Sequence, residues 1–228
     1  MMMPGRREHW RRDPRAGVLV IIAGAGLAGF LALAAGLLLA PAFLEADLAL
    51  SAAIRAIDLP GLETLARLAT TAGDFWPIAA LTAVTSAILW FRGRRTEAVM
   101  VVVAVLGGAL LGVGLKQAFM RVRPALDVAR IPLPETYSFP SGHALSSLLY
   151  FGSLMVVAAL DVRRRRYAVL LVVGCTFAAL AIALSRVYLG VHYLGDVIGA
   201  WLLGFAWLSL VVLVSARWGA GAPEDADG

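Results

Sequence analysis

The chain has 228 residues, of which 61% are hydrophobic and only 15% carry a charge, and its mean hydropathy is +0.83. This composition is too apolar for a soluble domain of this size, so a lipid bilayer is the expected surroundings. The formal net charge of +5 comes from arginine clusters that separate apolar runs. That placement indicates membrane topology and contact with anionic lipid headgroups rather than a nucleic-acid partner.

Six apolar runs in the sequence have the length that a helix needs to cross a bilayer. In chain order they are 17–40, 74–91, 97–119, 141–161, 167–184 and 192–214. Between the first two runs, apolar side chains recur at roughly helical spacing among charged ones, and Pro60-Gly61 marks a turn. We therefore predict an all-α, polytopic membrane protein: six transmembrane helices in a bundle, with short interfacial helices between spans 1 and 2.

The sequence contains no internal repeat and no linker that would divide it. It predicts one domain, residues 17–216, between a basic tail (1–16) and a short acidic tail (217–228). The single cysteine, Cys175, predicts a buried and inert thiol rather than a disulfide. Close helix packing is predicted in span 3 by four glycines: Gly107, Gly108, Gly112 and Gly114.

Basic residues are concentrated on one side of this six-span arrangement. They fall in the two tails and in the links 92–95 and 163–166, which the positive-inside rule places in the cytoplasm. The loops 41–73, 120–140 and 185–191 then face the periplasm or the outside. A short, Ala- and Arg-rich chain of six spans is typical of bacteria, so we expect a multi-pass protein of the bacterial inner membrane with both termini cytoplasmic.

Three short polar segments, here called islands, fall on the predicted outer face: residues 116–124, 140–143 and 185–196. Three cations in them lack acidic partners nearby in the sequence. Lys116 lies near the end of span 3, Arg123 follows seven residues later, just before Pro124, and Arg186 closes span 5. Converging cations need an anion, and the planar guanidinium of arginine matches phosphate in a bidentate manner. The alternative is that each side chain reaches out to lipid headgroups.

The second island, Pro140-Ser141-Gly142-His143, opens span 4. Ser141 suits the N-cap position, and free amides of Ser141 and Gly142 at a helix start would bind an anion with help from the helix dipole. His143 at the rim of that site would protonate a leaving oxygen and later take a proton from water. For a lone histidine, a capping or interfacial role is the alternative.

The third island places Arg186, His192 and Asp196 within twelve residues, between two apolar runs. Ionisable groups at a membrane boundary indicate a functional site. Residues four apart share one face of a helix, so Asp196 is expected to accept the Nδ1 proton of His192. The Nε2 atom of His192 would then be free as a nucleophile or base.

Two histidines, one aspartate and three cations suit phosphoryl transfer through a covalent phosphohistidine. In this interpretation His192 attacks phosphorus, Asp196 orients it, and His143 acts first as an acid and then as a base. Charge on the phosphoryl oxygens would be stabilised by five phosphate-binding residues: Lys116, Arg123, Ser141, Gly142 and Arg186. A zinc site is the alternative, but the neighbouring cations would repel the metal, so we expect no metal and no cofactor.

The three islands together resemble the tripartite signature of the type-2 phosphatidic acid phosphatase family, the integral-membrane lipid phosphate phosphatases. That signature is a lysine, six residues and Arg-Pro; then Pro-Ser-Gly-His; then Ser-Arg, five residues, a histidine, three residues and an aspartate. Every position is intact here, as Lys116…Arg123-Pro124, Pro140-Ser141-Gly142-His143 and Ser185-Arg186…His192…Asp196. The resemblance implies a helical bundle and metal-independent dephosphorylation, with His192 as nucleophile and His143 as acid and base.

In bacterial relatives of this size, the family's substrates include phosphatidic acid, phosphatidylglycerol phosphate, undecaprenyl diphosphate and lipid A phosphates. The resemblance does not choose among them. We therefore expect an enzyme that hydrolyses a membrane lipid phosphate or diphosphate at the outer face, with no obligatory protein partner. Three outer elements are expected to shape the entrance for the lipid: residues 43–73, Trp76 and the loop 125–139.

Two other functions would use the same residues. A lipid phosphotransferase would replace water by an alcohol or phosphate acceptor in the second step. A non-catalytic lipid-phosphate-binding protein would leave the paired histidines without a role. The vanadium-dependent haloperoxidases resemble the signature as well, but they are typically soluble, and the six apolar runs argue against them.

Overall fold

The computed structural model describes residues 14–160 and 165–219, with side chains for 16–160 and 169–218. Within these residues the chain forms eight α-helices and one short 3-10 helix, and no strand, which confirms the all-α prediction. The helices are α1 (Pro14–Leu39), α2 (Pro41–Arg55), α3 (Leu62–Ala72), α4 (Phe75–Phe91), α5 (Arg95–Phe119), α6 (Gly142–Ala159), α7 (Arg165–Tyr188) and α8 (Leu194–Gly219); the 3-10 helix is Leu126–Val128. The predictions for most of both tails and for part of the 163–166 link lie outside the described residues.

Within the described residues, five helices are long and apolar enough to cross a membrane: α1, α5, α6, α7 and α8. Helix α4 has 17 residues, and it forms a sixth span only together with α3, from which it is bent by 53°. The predicted multi-pass protein is thus confirmed, with five or six candidate spans. Large apolar side chains such as Ile21, Phe91 and Leu110 are exposed, as expected of surfaces that face lipid.

The interval between α1 and α4 is largely helical, as predicted. A turn separates α2 from α3, and in it Gly61 has a φ of 80°, a backbone conformation that glycine adopts without steric cost. One side of helix α2 packs inside the protein, because Asp47 and Ser51 are buried. The position of α2 and α3 at a membrane interface stays a prediction.

Helices α6 and α8 lie at the centre of the bundle. Helix α8 packs against α1, α5 and α6, while α6 also contacts α5 and α7. Three of the four glycines in α5 (Gly107, Gly108 and Gly112) pack closely against side chains of neighbouring helices, whereas Gly114 faces open space. Cys175 is buried, as predicted.

Phe139 anchors the loop between α5 and α6 to the bundle. Its ring stacks on Phe30 of α1 at 5.5 Å between centroids, and it contacts Phe119 of α5 edge-on at 5.0 Å. Gly199 of α8 leaves room for the ring, since a Cβ atom there would lie 2.4 Å from it. This packing fixes the neighbouring residues Ser138 and Ser141 beside the start of α8.

The helix ends around the third island differ from the prediction. Helix α7 continues to Tyr188, so Arg186 lies in its last turn and only residues 189–193 connect it to α8. His192 therefore precedes α8 instead of belonging to it. Gly190 supplies the physical reason: its φ is 73°, and a Cβ atom there would lie 2.2 Å from the carbonyl oxygen of Val128.

Candidate active site

His192 and Asp196 form the predicted contact, but not as neighbours on one helical face. Asp196 lies in the first turn of α8, and His192 lies two residues before that helix. Nδ1 of His192 is 3.1 Å from Oδ2 of Asp196, and the two side chains are only 2% and 0% exposed. The contact was predicted correctly, whereas its assumed helical basis was wrong.

The contact depends on how α8 begins. Oδ2 of Asp196 accepts the backbone N–H of Tyr193 at 2.9 Å, which is the back-contact that the third residue of a helix makes in a capping box. The same oxygen accepts the hydroxyl proton of Ser138. The carboxylate that meets His192 is therefore fixed by the backbone at one side and by the loop before α6 at the other.

Arg123 lies against the opposite edge of the imidazole. Its Nη1 is 3.2 Å from Nε2 of His192 and donates to the carbonyl oxygen of Val191 at 2.7 Å. Because arginine can only donate hydrogen bonds, Nε2 accepts here, and this assigns the ring proton to Nδ1, facing Asp196.

The protonation state of His192 follows from its burial. Burial lowers the pKa of His192 to about 3, helped by the positive charges of Arg123 and Arg186 and opposed by Asp196. The imidazole is therefore neutral near pH 7. A neutral ring with an unprotonated Nε2 is the form that acts as a nucleophile.

The three predicted cations come together around this edge. Lys116 donates to the carbonyl oxygen of Tyr137 at 2.6 Å, and the charges of Lys116, Arg123 and Arg186 lie close enough to interact. Among the described residues, none of the three forms an ion pair with a carboxylate. Nor do any three His, Cys, Asp or Glu side chains in this part of the chain form a group that would hold a metal ion.

Ser141 occupies the N-cap position of α6, as predicted, but its side chain makes no capping bond. Its amide donates to the carbonyl oxygen of Asp196 at 3.1 Å, so the expectation that this amide is free for an anion was wrong. The Ser141 hydroxyl is instead buried without a partner among the described residues, and so is Nε of Arg186. In that part of the chain, the other buried side-chain atoms without a partner belong to Arg55, Ser86 and Trp201.

His143, in the first turn of α6, lies beside the bend between α3 and α4. Its Nε2 is 2.8 Å from Oδ1 of Asp74, a residue to which the sequence assigned no role. A Cβ atom on Gly73 would lie 3.2 Å from the imidazole, so the bend forms a wall beside the ring. The His143 side chain is 20% exposed, which leaves it accessible, in contrast to His192.

Two cavities adjoin these residues. One of about 200 Å³ lies between α4, α5 and α6, with Lys116, Gly142 and His143 among its lining residues and mainly apolar side chains elsewhere. The other, of about 470 Å³, is lined by Arg123 and by the loop residues 133–137. The polar lining of the first cavity, at Lys116 and His143, and its apolar remainder match the two parts of a lipid phosphate.

Three residues that hold the His192–Asp196 pair were not predicted from the sequence: Ser138, Arg121 and Asp47. Arg121 donates to both carboxylates, to Oδ1 of Asp196 at 2.7 Å and to Oδ2 of Asp47 at 2.6 Å. The positions of Arg121 and Ser138 next to the first two islands were a signal that could have found them. Asp47 offered none, because it is remote in sequence and stands in an amphipathic helix.

Comparison with known proteins places these residues in a family. A sequence profile described as the PAP2 superfamily matches residues 97–220, which include all three islands. Phosphatidylglycerophosphatase B of Bacillus subtilis is 29% identical over 169 residues, which make up 73% of this chain and 82% of that protein. Undecaprenyl-diphosphatase of Sulfolobus acidocaldarius is 32% identical over 132 residues, or 56% of this chain and 59% of that protein.

The fold has a solved counterpart as well. It is similar to the crystal structure of a transmembrane PAP2-type phosphatidylglycerolphosphate phosphatase from Bacillus subtilis, with a TM-score of 0.75 and 26% sequence identity. The similarity covers 86% of this chain and 96% of that one. The predicted enzyme class, a lipid phosphate phosphatase, is confirmed by these relatives, and the chain belongs to the PAP2 superfamily.

Proposed function

We propose that this protein hydrolyses a membrane lipid phosphate or diphosphate through a phosphohistidine on His192, without a metal ion. One observation carries the proposal: the unprotonated Nε2 of His192 faces Arg123, and the signature residues Ser141 and Arg186 hold buried donors without a partner among the described residues. Buried donors without partners are uncommon in folded proteins. A phosphoryl group would satisfy both donors while presenting its phosphorus to Nε2.

In the first step, the Nε2 lone pair of His192 attacks phosphorus and the bond between phosphorus and the lipid oxygen breaks. His143 gives a proton to that leaving oxygen. The imidazole of His192 becomes positively charged, because its Nδ1 proton stays in place, and Asp196 stabilises that charge. Charge on the phosphoryl oxygens is stabilised by Lys116, Arg123, Arg186, the Ser141 hydroxyl and the Gly142 amide.

In the second step, water attacks phosphorus and gives its proton to His143. The N–P bond breaks, Nε2 recovers its lone pair, and inorganic phosphate leaves. Asp74 supports this role of His143, because a carboxylate at 2.8 Å stabilises the protonated imidazole that the cycle requires.

The substrate class follows from the cavity between α4, α5 and α6. Its polar lining residues, Lys116 and His143, suit the phosphate, and its apolar remainder suits a hydrocarbon chain. Phosphatidic acid, phosphatidylglycerol phosphate and undecaprenyl diphosphate all combine these two parts. The distribution of arginines supports a site on the periplasmic face of the inner membrane.

Phosphate release by purified protein from a panel of these lipids tests the proposal. We expect release that survives EDTA and vanishes in His192→Ala. Release abolished by EDTA would contradict the metal-independent mechanism, and release from His192→Ala at the wild-type rate would contradict the nucleophile. A radiolabel that moves from the donor to another lipid would indicate a phosphotransferase, and lipid binding without turnover would indicate a binding protein.

The membrane face is tested separately with intact spheroplasts and a short-chain lipid phosphate that does not cross the membrane. Hydrolysis before lysis is the expected result. Hydrolysis that begins only after lysis would place the site in the cytoplasm.

A further inference from the structure

Arg121 joins two buried carboxylates. Its Nη1 donates to Asp196 and its Nη2 donates to Asp47, at 2.7 and 2.6 Å, and the two acids are 0% and 5% exposed. The guanidinium also lies over the ring of Tyr193, 4.3 Å from its centroid. The side chain is thus held along both edges and on one face, a geometry that only the planar fork of arginine provides.

Asp47 in turn helps to cap α8 from another helix. Its Oδ1 accepts the backbone N–H of Gly195 at 2.7 Å, and Ser51, one turn later in α2, accepts the N–H of Leu194 at 2.8 Å. Such acceptors normally come from the helix's own N-cap residue. Gly195 allows the approach, because a Cβ atom there would lie 2.9 Å from Oδ2 of Asp47. Helix α2 therefore fixes the turn that carries Asp196.

The net charge of the cluster formed by Asp47, Arg121 and Asp196 is opposite to the charge that His192 gains during the reaction. Two carboxylates and one guanidinium leave a net charge of −1, which balances the single positive charge that an imidazole gains when Nε2 forms a bond. Without Arg121, the two buried carboxylates would repel each other, and one of them would take up a proton. A protonated Asp196 could no longer hold the proton of His192 on Nδ1.

We propose that Arg121 and Asp47 are positioning residues: Arg121 keeps Asp196 ionised, and Asp47 holds both Arg121 and the start of α8. Together they keep the ring proton of His192 on Nδ1 and leave Nε2 unprotonated. Neither residue touches the reacting atoms, so both act through Asp196. Asp47 lies outside residues 97–220, the part that matches the family profile. The role assigned to this pair rests on the proposed function only in naming His192 as the nucleophile.

Imidazole 15N NMR tests the positioning without any substrate. The chain has only three histidines, so the signal of His192 can be assigned from His192→Asn. The variants are Arg121→Gln and Asp47→Asn. The matched control is Arg130→Gln, because Arg130 forms hydrogen bonds with Glu63 and Tyr188. It makes no described contact with Arg121, Asp47, Asp196 or His192.

Wild type and the control are expected to keep the proton of His192 on Nδ1 from pH 8 to pH 5. Arg121→Gln is expected to show mixed tautomers, since an Asp196 that takes up a proton no longer holds the proton of His192 on Nδ1. The other charged residues near His192 and Asp196 are not substituted in this variant: Lys116, Arg123, Arg186 and Asp47. Spectra of Arg121→Gln and Asp47→Asn that match the wild type would overturn the proposal.

Kinetics provide the second readout. Arg121→Gln is expected to lower kcat about 10- to 100-fold, which corresponds to the loss of one charge-assisted hydrogen bond. The KM should stay within about threefold of the wild-type value. Arg121→Lys should not restore kcat, because one ammonium cannot bridge both carboxylates. The double variant with Asp47→Asn should be no slower than Arg121→Gln alone, because the two residues act as one unit. Titration with a non-hydrolysable lipid phosphonate verifies that the binding sites are intact.

The two proposals fail in different ways. If Arg121→Gln changes the His192 spectrum while wild type releases no phosphate, the proposed function fails and the positioning role stands. If wild type is active and His192→Ala is inactive, but Arg121→Gln behaves as Arg130→Gln in both spectra and kcat, the positioning role fails alone.

Discussion

The imidazole of His192 is held by the carboxylate oxygen of Asp196 that also caps the helix to which Asp196 belongs. Oδ2 lies 3.1 Å from Nδ1 of His192 and accepts the N–H of Tyr193 at 2.9 Å. The orientation of the candidate nucleophile is therefore tied to the start of α8. Changes that disturb this helix start should affect chemistry and stability together.

Ser138→Ala should slow the reaction with little change in binding. Ser138 donates to Oδ2 of Asp196, and a buried hydrogen bond to a charged group contributes about 1.5–3 kcal/mol. We expect kcat to fall about 10-fold or more, with KM nearly unchanged. The control is Ser153→Ala, since Ser153 is equally buried but bonds only the backbone of α6. Equal kinetics for the two variants would contradict a role for Ser138 in holding the pair.

Acid should destabilise the wild type more than a variant without His192. The pKa of His192 is about 3 in the folded protein and about 6.5 in an unfolded chain. Between these values the unfolded state binds a proton that the folded state does not, so stability falls as pH decreases below 6.5. In detergent, Tm should fall more between pH 7.5 and pH 5 for wild type than for His192→Asn. Equal falls would contradict a buried, neutral imidazole.

Gly190→Ala should be more harmful than Gly93→Ala, although both glycines have nearly the same positive φ, 73° and 77°. Alanine in this conformation costs about 1–2 kcal/mol at either position. At Gly190 the new Cβ would also press on the carbonyl oxygen of Val128, whereas at Gly93 it meets open space. Thermal unfolding should show the larger loss of Tm for Gly190→Ala, together with loss of activity because His192 follows two residues later. Similar Tm values would contradict the close approach.

Ala79→Phe should impair hydrolysis of lipids selectively. Ala79 lines the cavity between α4, α5 and α6, while its neighbour Ala80 is exposed and does not line it. We expect kcat/KM for a long-chain lipid phosphate to fall about 10-fold or more in Ala79→Phe, with a short, soluble phosphate ester unaffected. Ala80→Phe should resemble wild type with both substrates. If Ala79→Phe hydrolyses the lipid normally, the hydrocarbon chain binds elsewhere.

Most of the helices could be predicted from sequence, because the length of an apolar run is enough to indicate a span. The span count could not be fixed in this way. Helix α4 is short, and its continuity with α3 depends on the bend at Gly73 and Asp74. The end of α7 was also missed, because Gly190 adopts its conformation against Val128, in a loop that is distant in sequence.

In the site, too, features that depend on nearby residues could be predicted, and contacts between distant segments could not. The three islands could be found because motif spacing is a property of the chain itself. The amide of Ser141 was misjudged because its partner, the carbonyl oxygen of Asp196, becomes a neighbour only in the fold. Asp47 was missed for the same reason: its partners Arg121 and Gly195 belong to other segments.

A phosphohistidine on His192 can be trapped and located in the chain. Wild type and His192→Ala would be mixed with a lipid carrying 32P in its terminal phosphate, quenched in alkali within the first turnover, and digested. We expect a label on the wild-type peptide that contains His192, stable in alkali and released by acid, and no label in His192→Ala. Active wild-type protein that never carries such a label, or a label that persists in His192→Ala, would contradict the phosphohistidine mechanism.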